Sequence, residues 1–102
     1  MYTMNTAFEN EAIVLRIEGE LSLEHIAEFK TRVKEEIQRS AATTVIFDLG
    51  ELSYVDSAGI GSLFFIKNMV DKMDGEMQVK AVSPRVREIM KSCGMLSVFN
   101  IT

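Results

Sequence analysis

Short runs of branched and aromatic apolar residues alternate along this chain with segments whose apolar residues recur every three or four positions, and few architectures accommodate that order. Residues 12–18, 44–49 and 77–82 are runs of the first kind and predict strands. The run at 44–49 reads as a central strand covered on both faces, and Gly19 is expected to end the first. Between them Ile26, Phe29, Val33 and Ile37 share one helical face, while Glu28, Lys30, Arg32 and Glu35 fall on others. Ser22 is the expected N-cap. A second helix is predicted from about Ala58 to Met73, burying Ile60, Leu63, Phe64, Val70 and Met73, with Gly75 as its left-handed stop. Ser83-Pro84 opens a third, ending near Gly94. A weaker strand over residues 2–9, turned by Glu9-Asn10-Glu11, and a short last strand, Val98 to Ile101, complete the reading. The implied fold class is α/β: one domain over residues 1–102, with a mixed, mostly parallel sheet of four or five strands and about three helices.

Composition removes several functions. One cysteine and one histidine supply neither a disulfide nor a transition-metal ligand set, so no metal or cofactor is expected. A net charge of −4 argues against nucleic acid as a partner. Apolar runs are too short to cross a membrane, and the N-terminus carries no export signal, so a cytoplasmic address is expected. The carboxylates Glu20, Asp48 and Asp56 fall near strand ends, where α/β folds bind ligands. No Walker loop or Gly-x-Ser-x-Gly elbow accompanies them, and an enzyme is not expected.

The most informative segment is Leu52-Ser53-Tyr54-Val55-Asp56-Ser57-Ala58-Gly59-Ile60-Gly61, read as the turn from the strand at 44–49 into the second helix. Free N–H groups and the helix dipole favour an anion at such a turn. Ser57, followed by Gly59 and Gly61 with no side chains to crowd it, is placed to be reached by another protein and to carry a phosphate. Spacing alone favours a plain N-cap at Ser57 with Asp56 as a first-turn helper.

That segment, together with Gly19-Glu20-Leu21, Gly75-Glu76-Met77 and Ala81-Val82-Ser83-Pro84, resembles the STAS domain, and more narrowly the bacterial anti-sigma factor antagonists of the sporulation and general-stress type. The resemblance spans nearly the whole chain. It implies partner switching: the unphosphorylated protein binds an anti-sigma factor serine kinase and so frees a sigma factor. Phosphorylation of Ser57 releases it, and a PP2C-type phosphatase resets it. The implied partner surface comprises Glu20, Ser22, Asp56, Ser57, Ala58, Gly59 and Ile60. Ser22 stands where the family often has Asp, and Ala58 replaces a second serine, which leaves Ser57 as the acceptor in the motif. The rival readings are an unphosphorylated STAS scaffold subunit of a stressosome or lipid-transport complex, and a purine-nucleotide sensor. A monomer or weak homodimer is expected.

The remaining residues with chemical potential read as structural. Cys93 is expected to be a half-buried thiol, His25 a surface residue able to tune binding with pH, and the methionines core filler, with Met90, Met95 and Leu96 as candidates for an exposed patch.

Overall fold

The computed structural model describes residues 1–101. Strands β1 (Tyr2–Glu9) and β2 (Ala12–Leu21) form an antiparallel hairpin in continuous register from Tyr2–Gly19 to Glu9–Ala12. Its two-residue loop puts Asn10 and Glu11 at φ 49° and 70°, the left-handed pair that matches strand twist. Helix α1 (Ile26–Ser40) follows a single 3-10 turn, Leu23–His25. Strand β3 (Thr44–Leu49), strand β4 (Leu52–Val55), helix α2 (Ser57–Lys72), strand β5 (Glu76–Val82) and helix α3 (Pro84–Ser92) complete the order.

The five-stranded sheet is mixed, in the order β1-β2-β3-β5, with β4 paired to β2. Only the β1–β2 pairing is antiparallel among the described residues; β2–β3, β2–β4 and β3–β5 are parallel. Strand β2 does not end at Gly19. It continues through a bulge at φ 93°, where an added Cβ would stand 2.5 Å from the Met1 carbonyl oxygen, and its far end pairs with β4 instead of β3. Strand β4 lies within what the sequence reads as turn. Four residues with only Leu52 and Val55 turned inward make too short a pattern to register as a strand.

One face of the sheet is closed. Ile13, Leu15, Ile17, Val45, Phe47 and Leu49 are essentially inaccessible and join Phe29, Val33 and Ile37 of α1 and Leu63, Ile66 and Val70 of α2 in one core. The other face is more open, since Arg16, Gln78 and Lys80 are exposed and Ile46 and Asp48 half-buried. The central strand therefore alternates instead of being covered on both sides. Tyr2 pins β1 beneath α1: its hydroxyl donates to Glu28 Oε1 at 2.8 Å, and its ring meets Phe29 edge-on at 5.5 Å. Burial, reinforced by the bond to Glu28, pushes the phenol's pKa above its ordinary value.

Several local expectations are corrected. Phe64 and Met73 are exposed, because α2 is apolar nearly all round and its packed stripe is Ile60, Leu63, Ile66 and Val70. The left-handed residue after α2 is Asp74, at φ 59°; Gly75 is small because a Cβ there would lie 2.6 Å from the Thr43 carbonyl oxygen. Residues 98–101 form no strand. Asn100 N–H donates to Ser97 O and Ile101 N–H to Leu96 O, so turns use those donors while Phe99 enters the core. Met90 is wholly buried, Met95 and Leu96 pack against the core, and Cys93 is exposed.

Candidate functional site

The C-terminal ends of β2 and β4 lie side by side, so the turns that leave them, residues 22–25 and 56–57, are neighbours. Asp56 holds both. It is the N-cap of α2 and its Oδ1 accepts from Gly59 N–H at 2.8 Å, while Oδ2 accepts from Leu23 N–H at 3.0 Å. One carboxylate thus satisfies orphan donors at the starts of two helical elements, which charge-assisted bonds do well. Asp56 N–H donates in turn to Leu21 O at 3.3 Å, and Ser53 Oγ to Gly19 O at 2.9 Å. The helper and the cap are therefore reversed from the simple sequence reading. Asp56 caps, and Ser57 is the first residue inside the helix.

Ser22 does not cap the first helical turn through its side chain; its carbonyl accepts from His25 N–H, and the donor at Leu23 is met from Asp56, 33 residues away. Nothing local to residues 20–26 signals that bond.

Gly59 has a different role from the one its spacing suggested. It is buried, and a Cβ there would stand 2.6 Å from Leu21 O and collide with the Val55 side chain. Its absence lets α2 start directly against β2 and β4. Gly61, by contrast, has open space around its Cα.

Ser57, Glu20 and the apolar Leu23 are exposed, with Ser22, Asp56 and Ala58 half-buried. Gly59 and Ile60 belong to the packed side and support the surface without forming it. Sequence reasoning missed Leu23, 73% exposed, and Phe64, 42% exposed. Phe64 lies two turns along α2 on the same helical face as Ser57, a relation the seven-residue spacing contains. His25 is partly buried, its ring edge-on to Tyr2 at 5.9 Å, its Nδ1 enclosed without a partner and its Nε2 3.7 Å from Glu24. Asp48 Oδ1 accepts from Gly50 N–H, and Glu20, Asp48 and Asp56 do not converge with other ligands: no group of three or more possible metal ligands occurs among the described residues. No helix among them is long and apolar enough to cross a membrane.

Fold and site together define an α/β domain that displays a serine at the start of a helix, on a turn fixed by its neighbour's carboxylate. Residues 3–102 match the STAS domain model, and the chain belongs to that family. It is 26% identical over 102 residues to an anti-sigma F factor antagonist of Paenibacillus polymyxa, a match covering 96% of this chain and 87% of that one. Among solved structures it is similar to a putative anti-sigma factor antagonist from Thermotoga maritima, with TM-score 0.85, 16% identity and coverage of 96% and 84% of the two chains. It is also similar to the anti-sigma factor antagonist SpoIIAA in its unphosphorylated form, with TM-score 0.76, 24% identity and coverage of 91% and 82%.

Proposed function

We propose that this chain is an anti-sigma factor antagonist whose unphosphorylated form binds an anti-sigma factor with serine kinase activity, and that phosphorylation of Ser57 ends the binding. The observation that carries the reading is Ser57 itself, exposed on a turn that Asp56 and Gly59 hold rigid. Curated relatives are named anti-sigma F factor antagonists, which supports the same role.

The physical basis of release is charge at an otherwise mixed surface. A phosphate on Ser57 adds roughly −1.5 to −2 charges beside the Asp56 carboxylate. The N–H of Gly59 is already taken by Asp56, so the new oxygens are not fully absorbed by the helix start. Leu23 adjoins the Asp56 carboxylate and Phe64 lies two turns along the same helical face, and a surface that buries them against a partner must also desolvate the dianion. Binding is lost without unfolding. Chemistry is done to this protein, and a PP2C-type phosphatase restores it.

The test is affinity for the purified cognate kinase. Ser57→Asp is expected to weaken binding at least tenfold, about 1.4 kcal/mol, and Ser57→Ala to retain it while abolishing phosphate incorporation. Equal affinity of all three forms would refute the switch and favour a constitutive scaffold.

A further inference from the structure

The two outer edges of the sheet are treated differently. Asn100 and Ile101 of the C-terminal turn line a cleft with Val79, Lys80, Ala81 and Val82 of β5, and the strand carries the charges Glu76 and Lys80. These are the usual protections of an edge. Strand β1 has little of this, its one charge, Glu9, standing at its last position beside the hairpin loop. From Tyr2 to Phe8 it contains no charge and no proline, its register with β2 is unbroken, and no described strand pairs with its outer side.

The hairpin fixes which groups are unpaired. In a two-residue loop Glu9 and Ala12 form the hydrogen-bonded pair, and at the other end Met1 O accepts from Glu20 N–H, so odd-numbered residues bond inward. The N–H and C=O groups of Tyr2, Met4, Thr6 and Phe8 therefore point away from the sheet. We infer that this edge pairs antiparallel with β1 of a second copy, joining two sheets into one.

The strand suits itself as a partner. With Asn5 on the two-fold axis, Met4 of each chain faces Thr6 of the other and Phe8 faces Tyr2. No like charges oppose each other, and Phe8, 61% exposed, is brought against the strand of the second copy. The pairing is isologous and uses up the β1 edge of both copies, and the other edge carries Glu76 and Lys80, so it closes at two copies and does not propagate into a fibre. Strand β4, which leads into Ser57, pairs with the opposite side of β2 from β1, so both serines stay accessible. A single strand seam is smaller than the roughly 1,200–2,000 Å² of a standard interface, so the equilibrium depends on concentration.

The experiment is sedimentation equilibrium of the full chain over a concentration series reaching its solubility limit, paired with residue-resolved amide exchange. The wild type is expected to reach twice the monomer mass at high concentration, with the Met4, Thr6 and Phe8 amides slowing while those of Asn5 and Ala7 are unchanged. Thr6→Pro removes one outward N–H per copy and no bond within the hairpin, and should weaken association roughly thirtyfold. Thr6→Lys, which leaves the backbone intact, should weaken it too and guards against a folding defect in the proline variant. A wild type that stays monomeric throughout overturns the inference. So does a dimer in which those three amides exchange as in the monomer, or one that both variants leave intact.

Discussion

The starts of α2 and α3 solve one problem with opposite consequences. Each is capped by the side chain just before it, Asp56 for α2 and Ser83 for α3, and each cap makes a second bond outside its helix. Ser83 Oγ accepts from Val86 N–H at 3.3 Å and donates to Leu52 O at 2.5 Å; Asp56 reaches Leu23 N–H. The two caps thereby grip the short β4 at its beginning and its end. They differ in what comes next. Pro84 follows Ser83 and closes that turn to further chemistry, whereas Ser57 follows Asp56 and is exposed. The start of α2 thus leaves a hydroxyl exposed outside its cap, and the start of α3 leaves none.

Substitutions at the two starts put that contrast at risk. Gly59→Ala should cost the most, about 3 kcal/mol, because its methyl group meets the Leu21 carbonyl and Val55 with no flexible end to yield. Chemical denaturation would measure it, and a cost below that of any cap would mean α2 does not start as tightly against β2 as described. Asp56→Ala should cost about 2 kcal/mol, with Asp56→Asn recovering part of it by keeping one acceptor. In amide exchange the Ala variant should lose protection at Leu23 as well as Gly59, the signature of a carboxylate shared by two turns. Ser83→Ala should cost about 1.5 kcal/mol and leave Leu23 unaffected, which separates the caps. The smallest effect has the opposite sign. Gly61→Ala, in open space on the same helix, should stabilise by roughly 0.5–1 kcal/mol through helix propensity. Its thermal melt, set beside that of Gly59→Ala, tests which glycine the packing requires.

How far the sequence reaches differs by element in the same way. Helix α1 is legible because its buried residues, Ile26, Phe29, Val33 and Ile37, are interrupted by charges that fix the phase. Helix α2 has apolar residues on most sides, so its extent is legible and its orientation is not; Phe64 and Met73 read as core and are exposed. Ser83-Pro84 announces α3 by purely local chemistry. The Asp56–Leu23 bond is tertiary, set by the parallel pairing of β2 with β4, and β4 is too short to see. Ser57 could be picked out as a candidate from its place before a helix and from family resemblance. The support beneath it, Asp56 in two bonds and Gly59 in close contact with Leu21, required the fold.

The double bond of the Asp56 carboxylate also bears on time. A serine displayed on a turn already anchored from two sides needs no opening, docking or local melting before another molecule can reach it. The delay between a signal and its effect at such a residue is then made of diffusion and of the turnover of whichever enzyme acts there. On the proposed switch, the domain would add no conformational step of its own.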